Sequence, residues 1–310
     1  MRVVYFGTPD FAVESLDAIL HSSHEVAAVV TVPDRQAGRG QKVIYSPVKQ
    51  YALDHNLPLL QPEKLRDETF LADLQALQAD CFVVVAFRML PEVVWNMPPH
   101  GTFNLHASLL PRYRGAAPIN WAIINGEQET GVTTFLLNHH IDEGAILLQE
   151  RTPITPDDNA GSLHDRLAAM GRTLVVRTLD GLADGSLQPR PQQGDACPAP
   201  KIFKDDCCID FGKNGQQVVD FIRGLAPYPA AIMTLRSPKG DEVPFKVFDA
   251  RFQEDATATE NTLFCDGKKV LKIGVADGFV EVLSLQMAGK KKNSIEEFLR
   301  GKNITDWLLV

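Results

Sequence analysis

The chain has 310 residues, of which 45% are hydrophobic and 23% are charged, and its formal net charge is −8. This length and composition are typical of a globular protein of two domains. The acidic balance argues against indiscriminate nucleic-acid binding, because Lys and Arg side chains that neutralise phosphates dominate that affinity. No apolar run reaches the length of a signal or membrane-spanning segment, so we expect a cytoplasmic protein without a membrane partner.

The five cysteines do not follow a framework spacing. An odd number of them argues against a secreted scaffold held by disulfides. Cys207 and Cys208 are adjacent, whereas a zinc knuckle needs two residues between its thiolates. We therefore expect plain buried or half-buried thiols and no metal site.

The N-terminal half alternates between strand and helix patterns. Residues 2–6 predict a strand, residues 11–20 have apolar side chains at helical spacing, and residues 25–32 form a β-branched strand. This order favours a doubly wound α/β domain. The turn Gly7-Thr8-Pro9 lacks the GxGxxG fingerprint, so a nicotinamide cofactor is not expected.

The most apolar strand of the chain is predicted at residues 80–87, near the centre of the sheet. Phe87-Arg88-Met89-Leu90 leaves its carboxyl end. The other predicted elements of this domain are helices at 48–55, 63–78 and 161–182, a short strand at 57–61, and strands at 130–137 and 145–150 whose connecting loop carries Asp142.

A Pro-rich stretch at residues 188–200 predicts a semi-rigid connection between domains. One helix at residues 215–224 and several short strands follow it, which favours a small β-barrel or sandwich. We therefore expect an N-terminal domain of residues 1–188, a linker of residues 189–204 and a C-terminal domain of residues 205–310.

The chemistry is expected in the stretch Asn104–Gly115. Asn104 and His106 alternate on a predicted strand, so both side chains face one cavity at its end. The loop at 87–90 should line the same crevice. A carboxylate beside an imidazole fixes its tautomer and favours its charged form, and Asp142 is the best available partner. An asparagine amide beside the pair can donate to a developing oxyanion.

Each of these residues, taken singly, also has an ordinary structural interpretation. Asn104 can satisfy backbone groups, His106 can be a hydrogen-bonded core histidine, and Asp142 can be a turn residue. No nucleophile is assigned beside them, since Ser108 is expected to point away from His106. The pattern favours direct attack by a group of the substrate on a bound acyl donor.

Two segments of the acidic chain are basic. The long, Gly-rich stretch Pro33–Lys49 is predicted to be a loop, and its composition fits either a solvated loop or an arm that grips a polyanion. Its charged residues are Arg35, Arg39, Lys42 and Lys49 against Asp34, and the second segment contains Lys290, Lys291 and Lys292.

The run Asn104-Leu105-His106-Ala107-Ser108-Leu109-Leu110-Pro111, followed by Arg112-Tyr113-Arg114-Gly115, resembles the signature of the folate-dependent formyltransferases. Gly131-Val132-Thr133 and Ile141-Asp142-Glu143-Gly144 are similar to the second half of that signature. The start Phe6–Phe11, the segment Pro33–Gly40 and a C-terminal domain with Ala288–Lys292 are similar to the members that act on tRNA. The likeness runs essentially from end to end.

The resemblance implies a Rossmann-like doubly wound formyltransferase domain followed by a small OB-like β-barrel domain. It implies formyl transfer from 10-formyltetrahydrofolate to the α-amine of methionyl initiator tRNA by a monomer, without a metal. Asn104, His106 and Asp142 would be catalytic. Folate would contact Ser108, Leu109, Leu110, Pro111, Phe87, Arg88, Met89 and Leu90. The tRNA would contact Arg35, Arg39, Lys42, Lys290, Lys291 and Lys292.

Two segments depart from the family pattern. Leu137-Asn138-His139-His140 stands where many relatives carry an acidic residue and often a glycine, and the segment 87–90 is a residue shorter and more basic than usual. These departures bear on the outline of the folate pocket and not on the reaction. Two alternative functions stay open. One is formylation of a nucleotide-linked amino sugar, and the other is non-catalytic binding of tRNA or folate.

Overall fold

The fold is that of a computed structural model, which describes residues 1–37 and 42–310. The chain forms two compact units. The first contains residues 1–115, 129–152 and 164–199, and the second contains residues 116–128, 153–163 and 200–310. No helix in these described ranges is both long and apolar enough to cross a membrane. The predicted fold class is confirmed, with a parallel-sheet α/β core followed by a nearly closed antiparallel barrel.

The elements follow one another in chain order. Up to residue 124 they are β1 (Arg2–Gly7), α1 (Asp10–Leu20), β2 (Glu25–Val30), β3 (Arg35–Ala37), β4 (Lys42–Ile44), α2 (Pro47–Asp54), β5 (Leu59–Leu60), α3 (Glu68–Ala76), β6 (Cys81–Val85), α4 (Glu92–Trp95), β7 (Thr102–His106), β8 (Arg112–Gly115) and α5 (Pro118–Ile124). The later ones are β9 (Glu129–Leu136), β10 (Ile146–Pro153), α6 (Ala160–Ala183), β11 (Cys197–Ala199), a 3-10 helix (Lys204–Cys207), α7 (Gly215–Leu225), β12 (Ala231–Arg236), β13 (Glu242–Glu254), β14 (Leu263–Cys265), β15 (Leu271–Val275), β16 (Gly278–Met287), β17 (Asn293–Ser294), α8 (Ile295–Gly301) and β18 (Leu308–Leu309).

The main sheet of the first unit has the strand order β10-β9-β7-β6-β1-β2-β5. The pairs from β7 to β5 are parallel, and β9 runs antiparallel to β7. Every residue of β6 is buried, as expected for a central strand whose two faces are covered. Because β6 and β7 are parallel neighbours, the loop after Val85 and the end of β7 at His106 lie at the same edge of the sheet.

Two predicted elements are shorter in the structure. The helix expected over residues 63–78 begins only at Glu68, because the Asp67 side chain accepts a hydrogen bond from the Phe70 N–H (3.1 Å) and caps the helix there. The strand expected over residues 57–61 is reduced to β5, which pairs with Val29 and Val30.

The stretch Pro33–Lys49 contains two short paired strands, so the prediction of a loop over its whole length was wrong. β3 and β4 pair antiparallel, with Arg35 opposite Ile44. Lys49 is buried instead of projecting as part of a basic arm, because its Nζ donates to both carboxylate oxygens of Asp34 (2.8 and 2.6 Å) and to Gln61 Oε1 (3.0 Å). The basic character of the stretch therefore depends on its other cations.

Replacing Lys49 by methionine should raise the pKa of Asp34. Hydrogen bonds from Lys49 and then from Gln61 hold the pKa of this carboxyl below its ordinary value. Since the folded-state pKa is depressed, the interaction stabilises the fold at pH values above the ordinary carboxyl pKa and is lost as the pH falls through the depressed value. An NMR titration of the carboxyl carbons should show the upward shift in Lys49→Met. It should be absent in a Lys64→Met control, and an unchanged Asp34 pKa in Lys49→Met would contradict the assignment.

The predicted linker begins inside the first unit. The backbone groups of Arg190 and Ile146 exchange two hydrogen bonds (2.7 and 2.9 Å), and β11 pairs in parallel with β8. Arg190 and residues 197–199 are thus held by β10 and β8 of the first unit. Whether independent domains end at residues 188 and 205 stays a prediction.

The second unit has an antiparallel sheet of order β14-β15-β16-β13-β12-β18, with β17 paired to β16. Its core joins one face of α7 to the sheet, through Val218, Ile222, Leu225, Phe245 and Val247, all fully or almost fully buried. On α7, Val218, Ile222 and Leu225 recur at helical spacing, in agreement with the helix that the sequence predicts at residues 215–224. The unit is thus stabilised mainly by apolar burial.

Candidate active site

The predicted polar pair stands at the carboxyl end of β7. Asn104 and His106 share one face of the strand, whereas Leu105 points to the other face. On that other face Leu105 lies against α6, where a Cβ added at Gly171 would come within 2.5 Å of Leu105 Cδ2. The alternation expected from the sequence is therefore present, and α6 covers the apolar side of the strand.

The His106 ring is buried and its orientation is fixed by one hydrogen bond. Nε2 lies 2.8 Å from the carbonyl oxygen of Tyr113, which can only accept, so Nε2 carries a proton and donates. Nδ1 is directed towards the carboxylate of Asp142, with 3.8 Å between Nδ1 and Oδ2. In the neutral ring Nδ1 is therefore the nitrogen without a proton, and it faces the carboxylate.

Asp142 is brought to His106 by the turn between β9 and β10. Its Oδ2 accepts a hydrogen bond of 2.8 Å from the Gly115 N–H at the end of β8. The side chain is only 13% exposed, and the backbone has φ +56° in the left-handed region. The carboxylate is thus oriented by the main chain of β8 and lies beside the imidazole without a direct hydrogen bond to it.

Asn104 is half-buried on β7, which lies between β6 and β9 in the sheet. It is in register with Val84 of β6 and Phe135 of β9. Among the residues that the structure describes, none forms a hydrogen bond with its carboxamide. The amide donor is therefore free to bind an oxygen of a ligand, which is what a developing oxyanion requires.

The turn after β7 is held by polar groups of the adjacent strands. Thr133 Oγ1 donates to the Ser108 carbonyl (2.6 Å), and Gln149 Nε2 donates to the Leu110 carbonyl (2.9 Å). The Ser108 hydroxyl is fully buried and donates to the Arg112 carbonyl (2.6 Å). Ser108 is thus engaged in the turn and not poised as a nucleophile.

The apolar residues of this turn differ in exposure. Leu110 is buried in a cluster with Phe135 and Ile146. Leu109 and Pro111 are half-buried, and Leu109 lies over Gly131, where an added Cβ would come within 2.7 Å of Leu109 Cδ2. Leu109 and Pro111 are therefore the two side chains of the turn that keep surface for a ligand.

The loop after β6 presents one strongly exposed side chain. Met89 is 72% exposed, whereas Leu90 is buried in the core. The Arg88 guanidinium donates to the carbonyl oxygens of Pro62 and Glu63, and its burial lowers the pKa of the group. Arg88 thus anchors the loop, and Met89 and the half-buried Phe87 are the side chains that keep apolar surface. Contact of this segment with folate stays a prediction.

The residues predicted to bind tRNA are only partly described by the structure. Arg35 is exposed on β3, while Arg39 and the side chain of Lys42 lie outside the described residues. Lys290, Lys291 and Lys292 are exposed in the turn after β16, and Lys292 Nζ lies 4.8 Å from the centroid of the Phe248 ring. Contact of these residues with tRNA stays a prediction.

Several residues around the trio of Asn104, His106 and Asp142 were not assigned from the sequence. Thr133 and Gln149 support the turn after β7, Arg114 is bound to Glu143, and Gln192 reaches the Asp142 turn from the predicted linker. Their partners are distant in sequence, so no local pattern reveals them.

Comparison with known proteins identifies the family. Residues 1–179 match the family described as "Formyl transferase", and residues 201–303 match "Formyl transferase, C-terminal domain". A methionyl-tRNA formyltransferase of Bacteroides fragilis is 54% identical over 99% of this chain and 96% of its own. A methionyl-tRNA formyltransferase of Flavobacterium johnsoniae is 50% identical over 99% of this chain and 98% of its own.

Solved structures agree on the fold. WlaRD, a sugar 3N-formyl transferase solved with dTDP and 5-N-formyl-THF, has a TM-score of 0.66 at 20% identity, covering 94% of this chain and 99% of that one. An N-formyltransferase of Helicobacter canadensis, solved with folinic acid and dTDP-3-aminofucose, has a TM-score of 0.64 at 20% identity, with the same coverage of both chains. The chain therefore belongs to the formyl transferase family, as a member of its methionyl-tRNA formyltransferase group.

Proposed function

We propose that this protein transfers the formyl group of 10-formyltetrahydrofolate to the free α-amine of methionyl initiator tRNA. The observation that carries the proposal is the trio itself, in which an unengaged carboxamide and a histidine facing a carboxylate meet at one strand end. The full-length likeness to methionyl-tRNA formyltransferases supports the choice of acceptor. The folate and folinic acid named with the sugar formyltransferases support the choice of donor.

The proposed reaction is a direct acyl transfer. The neutral amine attacks the formyl carbon, and the carbonyl oxygen becomes a tetrahedral oxyanion that accepts hydrogen bonds from Asn104 and protonated His106. Collapse breaks the bond between the formyl carbon and N10, and the nitrogen of tetrahydrofolate takes up a proton. The attacking amine loses that same proton, with Asp142 as its carrier and a water as the relay. No covalent enzyme intermediate is formed.

The donor is proposed to bind at the carboxyl edge of the sheet. Ser108, Leu109, Leu110 and Pro111 would form one wall, and Phe87, Arg88, Met89 and Leu90 the other. Within these walls, Leu109, Pro111, Phe87 and Met89 keep exposed apolar surface, whereas Arg88 and Ser108 contribute by fixing the backbone. An apolar slot with a few fixed polar groups suits a flat heteroaromatic ring.

The tRNA is proposed to bind through two basic segments. In the stretch Pro33–Lys49 the charges of the ion pair Lys49–Asp34 cancel, which leaves the charges of Arg35, Arg39 and Lys42. The second segment is Lys290–Lys292 in the proposed C-terminal domain of residues 205–310, which the linker of residues 189–204 would join to the catalytic domain of residues 1–188. On an acidic protein, two such segments orient a polyanion without general nucleic-acid binding.

Replacing Arg39 by alanine should weaken the use of methionyl-tRNA and leave folate binding intact. Removal of one phosphate-neutralising cation weakens tRNA binding and lowers its salt dependence. The slope of log K against the logarithm of the salt concentration should fall in magnitude by about one. Steady-state kinetics with varied tRNA, beside a folate titration, provide the measurement. An exposed lysine of a different turn, Lys239, serves as the control substitution, and equal losses for tRNA and folate would overturn the assignment.

A comparison of acceptors tests the proposed function. The enzyme with 10-formyltetrahydrofolate should formylate methionyl initiator tRNA and should leave a nucleotide-linked 3-amino sugar unmodified. Transfer to the sugar instead of the tRNA would assign the chain to the other branch of the fold. Tight binding of both substrates without transfer would indicate a non-catalytic binding protein.

A further inference from the structure

We propose that Gln192 and Arg114 are positioning residues that hold the Asp142 carboxylate in place beside His106. This inference rests on the proposed catalytic role of Asp142. It concerns residues that touch neither Asn104 nor His106, and that act on the site through the 142–144 turn and through β8.

Gln192 is bonded to the turn on both sides of Glu143. Its Nε2 donates to the carbonyl oxygens of Asp142 (2.7 Å) and Gly144 (2.9 Å). A single amide thereby satisfies two turn carbonyls, which fixes the backbone from which the Asp142 side chain projects. Asp142 has φ +56°, a left-handed conformation that is less favourable for residues with a Cβ than for glycine, and the two hydrogen bonds help to hold it there.

Arg114 fixes Gln192, and the two side chains together form what we call the clamp. Its Nε and Nη2 donate to Gln192 Oε1 (3.2 and 2.7 Å), and its Nη1 donates to Glu143 Oε1 (2.8 Å). The guanidinium therefore orients the Gln192 amide so that its nitrogen faces the turn. Arginine provides several donors in one rigid plane, and a lysine at this position could not make all three contacts.

The clamp also joins the two groups that orient the catalytic side chains. Arg114 lies in β8 between Tyr113, whose carbonyl accepts from His106 Nε2, and Gly115, whose N–H donates to Asp142 Oδ2. β8 is held in turn by β11, and at Gly115 an added Cβ would lie only 2.5 Å from the Ala199 carbonyl oxygen. The clamp thus holds β8 and the 142–144 turn at fixed positions relative to each other, so that His106 Nδ1 and Asp142 Oδ2 stay 3.8 Å apart.

An ordinary surface ion pair would have different surroundings. The Arg151–Glu129 pair on β10 and β9 has side chains that are 67% and 55% exposed. Such an exposed ion pair contributes little to the stability of the fold. The Arg114 side chain is 22% exposed and is bound at three donors. Arg151→Ala is therefore a matched control, since it removes an Arg–Glu contact in the same unit without touching the site.

The test is a set of steady-state kinetic measurements with methionyl-tRNA and 10-formyltetrahydrofolate. The variants are Gln192→Ala, Gln192→Glu, Arg114→Lys, Asp142→Asn and the double variant Gln192→Ala/Asp142→Asn. Gln192→Glu keeps the size of the side chain and the acceptor for Arg114, and it lacks both donors to the turn. Thermal unfolding of each variant identifies any that fail to fold.

Gln192→Ala and Gln192→Glu should each lower kcat by about tenfold to a hundredfold while the KM values stay near those of the parent, because a slightly misplaced catalytic group affects the transition state selectively. Arg114→Lys should give a smaller loss, and Arg151→Ala none. The double variant should be no slower than Asp142→Asn alone, since Gln192 acts through that carboxylate.

Three outcomes would overturn the inference, and they do so in two distinguishable ways. Losses that multiply in the double variant, or a Gln192→Glu enzyme with parental kcat beside a slow Asp142→Asn enzyme, would exclude the clamp and leave the role of Asp142 intact. A fully active Asp142→Asn enzyme would instead remove the proposed catalytic role on which the clamp depends.

Discussion

Replacing His106 by alanine is expected to lower kcat for formyl transfer by about a hundredfold to a thousandfold, since one preorganised donor to an oxyanion contributes on this order. The ring is buried and its orientation is fixed by the Tyr113 carbonyl, so the proposed donor needs no reorganisation during the reaction. Folate binding should change far less than kcat, because the imidazole interacts mainly with the charge that develops in the transition state.

The measurement is single-turnover formyl transfer, with folate affinity determined in parallel. His21→Ala is the control, since His21 is an exposed histidine at the end of α1 in the same unit. A folded His106→Ala protein that turns over at the parental rate would contradict the catalytic assignment, and it would favour the interpretation of the chain as a binding protein.

Replacing Gly144 by alanine is expected to give the largest loss of stability among the site residues. An added Cβ would lie 1.5 Å from the Leu136 carbonyl oxygen, which belongs to the neighbouring backbone and cannot turn aside. Leu136 and Ala145 are joined there by a hydrogen bond of 2.9 Å, so relief of the clash must break the turn. We expect the free energy of unfolding to fall by about 3 kcal/mol, with loss of activity because Asp142 moves.

Chemical unfolding followed by tryptophan fluorescence, together with the kinetic assay, tests this expectation. Gly185→Ala separates the clash from backbone strain, because Gly185 has φ +72° and nothing within 4 Å of the added Cβ. That control should lose only about 1–2 kcal/mol and keep its activity. Parental stability and activity in Gly144→Ala would show that the 142–144 turn is not fixed as described.

Patterns that act locally predict much of the fold. The apolar run that becomes β6 indicates a buried central strand, and the helical spacing of residues 161–182 indicates α6, whose bounds are Ala160–Ala183. The parity of Asn104 and His106 also holds, because alternation on a strand is a property of the backbone alone. The sequence-based errors at Glu68 and at β3 arose where a side-chain cap or a short strand pairing overrides composition.

Sequence reasoning could not predict the contacts between residues that are distant in the chain. The residues alone offer Asp142 only as a candidate partner of His106, and the family resemblance supports the pairing, since nothing local links a turn residue to a strand 36 positions earlier. Arg114 and Gln192 are 78 positions apart and meet through the pairing of β8 with β11. Such pairs depend on the folded topology, so periodicity and composition carry no signal for them.

Formyl transfer to tRNAs charged with methionine tests the central claim most directly. The protein, labelled 10-formyltetrahydrofolate and either initiator or elongator methionyl-tRNA would be mixed under single-turnover conditions, and label on the aminoacyl ester would be measured. We expect rapid label on the initiator species, little on the elongator species, and loss of transfer in His106→Ala. Absence of label on methionyl initiator tRNA with folded protein and saturating donor would contradict it.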